Sequence, residues 1–161
     1  MGNITKVVVI CGGSSAEREI SLISGRAVKN SLEVAGIQAV LVDFTSLQKL
    51  PNLDIYDIAF IALHGHEGEG GELQKFLVKK NIKFTGSGQN ACSKTWNKRL
   101  CKEILSTKQI ATPEWMAVNN LHEAFLEDGL ENLYHNVVSQ VGEEFFVKPS
   151  EEGSSIDIFK I

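Results

Sequence analysis

The sequence has no apolar run long enough to cross a bilayer, and residues 1–6 are not followed by the pattern of a secretion signal. A membrane-spanning or exported chain is therefore not expected. Charge of one sign is also scarce. A net charge of −4 with mixed signs argues against nucleic acid as the main partner. Cysteine is limited to Cys11, Cys92 and Cys101, an odd number far apart and without paired metal-ligand spacing. They read as reduced thiols filling the core of a cytoplasmic protein. Internal repeats, low-complexity segments and the G-x-G-x-x-G dinucleotide fingerprint are absent, which leaves an NAD reading weak.

What is present is enough for a core, with 43% of the 161 residues hydrophobic. Residues 6–11, Lys-Val-Val-Val-Ile-Cys, form a β-branched run of the kind buried on both faces of a parallel sheet. Gly12-Gly13 stops it. Ser14, with Glu17 three residues later, fits a capping box opening a helix whose apolar stripe is Ile20, Ile23, Ala27 and Leu32. Gly36 closes that helix, and strands are expected at 37–44 and 58–63. The order β-α-β-loop-β implies a parallel sheet, and so an α/β fold. A short helix at 73–80 and a brief strand at 82–84 would complete a sheet of about four strands.

Composition changes after residue 88. A lysine-rich helical stretch spans 90–108, Thr112-Pro113 breaks it, and 115–118 read as a short strand. Residues 121–127 and 130–141 read as helices. Two β-rich runs, 144–148 and 156–161, then flank a polar loop as a terminal hairpin. Nothing in the sequence supplies that hairpin with a sheet to pack on, so the second domain reads as unfinished. The expected domains are 1–92 and 93–161.

Three stretches could carry chemistry. Residues 12–19 and 64–72 both follow strands, at the sheet end where α/β folds bind ligands. Glu17 there is either a capping-box glutamate or the holder of a substrate ammonium. His64-Gly65-His66 lies among glycines and glutamates. A metal site on two such histidines is weakly signalled, and none is assigned; a donor role for His64 near a carboxylate or phosphate fits better. Lys148 leaves a strand into Gly153-Ser154-Ser155, a cation beside clustered donors suited to nucleotide phosphates, or else an ordinary polar turn.

Taken in order, residues 12–21 (Gly-Gly-Ser-Ser-Ala-Glu-Arg-Glu-Ile-Ser), 61–65 (Ile-Ala-Leu-His-Gly), Leu73-Gln74, 85–88 (Thr-Gly-Ser-Gly), 147–150 (Val-Lys-Pro-Ser) and 152–155 (Glu-Gly-Ser-Ser) resemble D-alanine–D-alanine ligases of the ATP-grasp superfamily. The resemblance covers essentially the whole chain. It implies a Rossmann-like pre-ATP-grasp domain that binds substrate, followed by the start of an ATP-grasp central domain. It also implies ATP-dependent joining of two D-alanines through an acyl phosphate, for peptidoglycan precursors, with a homodimer as an expectation. Glu17 would hold the first D-alanine's ammonium and His64 would lie near its carboxyl. Lys98 and Lys148 would contact ATP phosphates. Ser154 and Ser155 would belong to the loop orienting Glu17 and the phosphates, which makes Glu17 and Ser154 the expected catalytic pair.

The sequence departs from the family pattern at Glu67 and Gly70, which stand for a glycine and an aspartate. Asn97 stands for an aspartate, and Asp157 for a glycine next to the phosphate-binding loop, where a carboxylate would weaken nucleotide binding unless it turns away. The family's Mg2+ ligands are expected beyond residue 161. The chain is accordingly expected to be an amino-terminal fragment, inactive alone. A non-catalytic D-alanine or anion-binding module and a truncated relic are the competing readings, and the relic would show an exposed apolar patch after about residue 90.

Overall fold

The computed structural model describes residues 4–161, so the first three residues of the opening segment lie outside the described residues. The chain divides into two compact units, which meet in sequence at Trp96 and Asn97.

The first unit is built around β1 (Lys6–Gly12). This strand pairs in parallel with β2 (Gln38–Phe44) on one side and β3 (Ile58–Ile61) on the other. Being central, it is buried on both faces, as its β-branched run requires. Val8 and Ile10 join Phe44, Leu53, Leu73 and Leu77 in one apolar cluster; Val7, Val9 and Cys11 join Ala39 and Ala62 in the other. Helix α1 (Arg18–Val34) contributes Leu22, Val28 and Leu32 to the second cluster, and helix α3 (Glu72–Lys79) supplies Leu73 and Leu77 to the first. A four-residue helix, α2 (His66–Glu69), precedes α3. The expected fourth strand is reduced to a single parallel bridge between Ala59 and Phe84.

The α1 stripe differs from its sequence reading. Ile20 and Ile23 are 56% and 58% exposed and Ala27 is exposed, while Ser21 and Gly25 are buried. The reason is distance. A Cβ on Gly25 would lie 2.6 Å from Cys11 Cβ, so α1 rests on β1 through small residues that let the backbones approach. The capping box does not form either. Helix α1 starts at Arg18 with Glu17 at the N-cap position, and Ser14 is bonded to Glu67 in another loop.

Across 90–108 the helical stretch is two helices, α4 (Gln89–Trp96) and α5 (Lys98–Thr107). Asn97 separates them: its extended backbone leaves the helix, and its side chain accepts the Leu100 N–H at 2.9 Å as the N-cap of α5. Residues 115–118 form no strand; a short apolar run without a sheet edge to bond stays unpaired. The two helices read at 121–127 and 130–141 are present as α6 (Leu121–Val141), interrupted at Gly129 by φ 74°, ψ 161°. The terminal hairpin forms from β4 (Phe146–Val147) and β5 (Phe159–Lys160), paired antiparallel. Its apolar residues face solvent, with Phe146 58% and Phe159 60% exposed. Among the described residues Leu133 is the one buried apolar side chain of the second unit.

Candidate functional site

Because β1 and β3 are neighbouring parallel strands, the loops leaving their carboxyl ends emerge side by side. Ser21 ties them at the root. Its buried hydroxyl donates to the Ala62 carbonyl at 2.7 Å and accepts the Gly12 N–H at 2.9 Å. Further out, Ser15 Oγ donates to the His64 carbonyl at 3.3 Å. Ser14 donates twice to the Glu67 carboxylate, from its N–H at 2.6 Å and from its hydroxyl at 3.0 Å. Glu17 and His64 are thereby carried on adjacent loops. A Cβ built on Gly65 would lie 4.0 Å from Glu17 Oε2, a close approach that suits the left-handed glycine found there.

His64 Nδ1 lies 4.0 Å from Glu69 Oε1, which also accepts the Gly65 N–H at 3.2 Å. The other ring nitrogen, Nε2, is buried and has no hydrogen-bond partner among the described residues. A buried unsatisfied nitrogen is costly and is a natural place for a ligand group. Glu69 was not singled out in the sequence, where it is one of several glutamates spaced by glycines. Arg18 was missed too. Its guanidinium grips Asp43 at the end of β2 through two bonds of 2.9 and 2.6 Å, and also donates to the Gly13 carbonyl at 2.9 Å. The hydrogen bond from Arg18 holds the Asp43 carboxyl below the usual carboxylate range. This fork fixes the base of the loop carrying Glu17.

In the second unit the predicted cations and serines gather around the loop between β4 and β5. Lys98 is the first residue of α5; its N–H donates to the Ser150 carbonyl at 2.8 Å and its ammonium to the Glu152 carbonyl at 2.5 Å. Burial, and secondarily the charge of Lys148, push the Lys98 ammonium below the ordinary lysine range. Asn97 adds two bonds to the same loop, donating to Glu151 at 2.8 Å and accepting from the Ser150 hydroxyl at 3.2 Å. Lys148 Nζ stands 5.5 Å over the Phe146 ring. Ser154, Ser155 and Asp157 all have positive φ, at 49°, 61° and 52°. Three non-glycine residues held left-handed in one short loop is backbone strain of the kind found in ligand-binding turns. Glycine, which the resemblance leads one to expect at 157, would adopt this conformation without strain. Lys98 and Lys148 are thus within electrostatic reach of each other in the second unit, while Glu17 and His64 belong to the first. An open depression lined by Tyr134, Val138, Glu144, Lys160 and Ile161 contains none of the predicted site residues; it follows from the uncovered hairpin.

Among the described residues no group of three or more His, Cys, Asp and Glu side chains converges to hold a metal ion, and no helix is long and apolar enough to cross a membrane. No protein-family model matches the chain. The D-alanine–D-alanine ligase of Dechloromonas aromatica is 37% identical over 161 residues, covering 100% of this chain and 50% of the ligase. The crystal structure of a D-alanine–D-alanine ligase from Bacillus anthracis superposes with a TM-score of 0.77 at 26% identity, over 98% of this chain and 49% of that one. A second structure of that ligase, complexed with ATP, matches with a TM-score of 0.65 at 28% identity, over 78% of this chain and 43% of that one. The chain spans about half the length of the curated relatives it matches. In sequence along its whole length, and in fold, the chain is similar to the amino-terminal part of D-alanine–D-alanine ligases.

Proposed function

We propose that this chain carries the D-alanine-binding α/β domain, residues 1–92, and the first part of the ATP-binding domain, residues 93–161, of a D-alanine–D-alanine ligase. A carboxylate oxygen of one D-alanine attacks the γ-phosphorus of ATP and ADP leaves. The amine of a second D-alanine then attacks the acyl carbon, phosphate departs, and D-alanyl-D-alanine is formed for peptidoglycan precursors in the cytoplasm. Glu17 accepts the ammonium of the first D-alanine, and His64 faces its carboxyl group. Lys98 and Lys148 neutralise ATP phosphates, and Ser154 with Ser155 supplies donors to the same charge. Positioning and fixed charge do most of the work in such a transfer. Magnesium, which the reaction class implies, has no fitting ligand cluster among the described residues, and no step is routed through it. The homodimer expected from the resemblance is part of the same proposal.

The observation that carries this reading is whole-chain similarity to the ligases, joined to the adjacency of the loops bearing Glu17 and His64. The test is saturable D-alanine binding, measured calorimetrically, together with D-alanine-dependent phosphate release from Mg-ATP. Binding lost in Glu17→Ala, and any phosphate release lost in Lys148→Ala, support the reading. D-alanine binding without phosphate release fits both the amino-terminal part of a ligase, expected to be inactive alone, and the non-catalytic module, whereas the exposed apolar residues of the second unit are what the truncated-relic reading expects. A chain that binds neither D-alanine nor ATP would overturn both.

A further inference from the structure

Glu67 stands where the resemblance calls for glycine, so it brings a carboxylate to a position expected to have no side chain. It is used fully. One oxygen accepts the Ser14 N–H at 2.6 Å and the other the Ser14 hydroxyl at 3.0 Å, from a residue 53 positions away. The same carboxylate lies against Gly13, where an added Cβ would sit 2.3 Å from Glu67 Oε2. Gly13 has φ 85°, so the chain there combines a conformation open mainly to glycine with a gap that only glycine leaves. Ser14 precedes Glu17 by three residues and Glu67 follows His64 by three. The contact therefore joins the β1–α1 loop to α2, in addition to the ties made by Ser21 and Ser15.

We propose that Glu67 is a positioning residue, clasping the β1–α1 loop to the β3 loop so that Glu17 and His64 are held at a fixed separation before D-alanine arrives. This rests on the D-alanine reading given above. Hydrogen bonds to a charged acceptor are stronger than neutral ones, and two from one residue restrict rotation as well as distance. A loop held in its binding geometry need not be ordered by the ligand, and affinity gains accordingly. The short helix α2 on which Glu67 sits is itself anchored, because the buried Gln74 amide donates to the Gly68 carbonyl at 2.6 Å.

The test compares wild type with Glu67→Ala, Glu67→Gln, Glu67→Gly and Ser14→Ala in the full chain. Hydrogen exchange of the Ser14 amide and the D-alanine Kd are both read, with thermal unfolding as the check on folding. The expected result is Ser14 exchange faster by about tenfold and D-alanine binding weaker by about tenfold in Glu67→Ala, with Tm little changed. Glu67→Gln, which keeps one acceptor, recovers part of both. Ser14→Ala combined with Glu67→Ala adds little to Glu67→Ala alone. Unchanged Ser14 exchange overturns the clasp whether or not D-alanine binds. Unchanged affinity in Glu67→Ala, where wild type binds, overturns its role in positioning. Tighter binding in Glu67→Gly would also overturn it, because Glu67 would then be competing for the Ser14 donors. Wild type that fails to bind D-alanine at all defeats the D-alanine reading itself, a result distinct from each of these.

Discussion

The ammonium of Lys98 donates to the backbone carbonyl of Glu152, so the first residue of α5 holds the loop that carries Ser154 and Ser155. That acceptor is neutral, and burial first and Lys148 second act against the charge more strongly than the Glu152 and Glu151 carboxylates support it. Lys98 should therefore lose its proton at lower pH than an ordinary lysine. Its charged form is disfavoured by folding, so this group's contribution to stability is adverse while protonated. Stability should rise as pH increases from the lowered pKa towards the usual lysine value. Lysine-selective NMR titration reads this directly. Lys148→Ala should move the Lys98 titration part of the way back up, and inorganic triphosphate should raise it further. Co-titration of Lys98 with the exposed lysines would refute the assignment.

Gly25→Ala sets two effects against each other. Alanine is the better helix former by about 1 kcal/mol. The added methyl, however, would meet Cys11 Cβ at 2.6 Å and Sγ at 2.8 Å, and overpacking of this kind costs about 1–3 kcal/mol. Packing should win, with a net loss of stability in urea unfolding. Combining it with Cys11→Ala removes the sulfur contact and should recover part of the loss. A stabilised Gly25→Ala would mean that α1 can lift from β1 at no cost.

Acid should weaken the first unit through two aspartates. Asp43 is held low by the Arg18 hydrogen bond, and Asp57 is held low chiefly by the Thr5 and Lys6 backbone N–H groups, the latter two at 2.8 and 2.9 Å. Each has a folded pKa below its unfolded one. The stability they contribute is therefore present above the ordinary carboxylate range and is lost as pH falls through their lowered values. Asp57→Asn should flatten the acid side of the pH–stability curve while lowering its neutral plateau. An unchanged acid limb would show that Asp57 titrates alike folded and unfolded.

At position 157 the backbone is left-handed with φ 52°. Asp157→Gly should relax that strain and remove a like charge from the candidate phosphate loop. Stability should change by no more than about 1 kcal/mol, because glycine's freedom in the unfolded chain offsets the relief. Triphosphate binding should tighten several-fold at low salt, and the gain over wild type should shrink as salt screens the Asp157 charge. Equal affinity in the two proteins would show that the Asp157 carboxylate already points away.

Phe146, Phe159 and Ile161 expose apolar surface on the hairpin. Such a patch binds fluorescent apolar dyes. Phe146→Ser with Phe159→Ser should lower dye fluorescence without lowering the far-UV helical signal of the first unit. Equal fluorescence after both changes would assign the dye to another surface, such as the exposed Phe125, Leu126 and Leu130 of α6.

How much of this could be read beforehand depended on whether the information was local. The central strand was legible because an unbroken β-branched run has one comfortable environment, a strand covered on both faces. The two halves of α6 were legible because Gly129 interrupts a helical pattern at the point where the backbone breaks. The buried face of α1 was not. Ile20 and Ile23 recur at helical spacing and look like core, whereas Ser21 and Gly25 do the packing because they are small. The hydroxyl of Ser21 matters through Ala62, 41 residues away, and no local pattern announces such a partner. Lys98, Lys148 and the strand-end loops bearing Glu17 and His64 were found as elements. The bonds of Arg18 to Asp43 and of Asn97 to Glu151 link residues 25 and 54 positions apart and emerge only in the fold, while Glu69, close to His64 in sequence, was one of several glutamates among glycines.

The register of the first sheet has a consequence during synthesis. Val7 pairs with Ala39 in β2 and with Ile58 in β3, both in parallel, so the central strand waits for residue 61 to leave the ribosome before both its edges are satisfied. Parallel pairing over such separations is slow to nucleate. Until then a nascent stretch of three valines and an isoleucine offers its backbone to any neighbouring chain. The hairpin of β4 and β5 can form as soon as it is made. The yield of properly folded protein should therefore depend on how well residues 7–10 are shielded in the interval before β3 emerges.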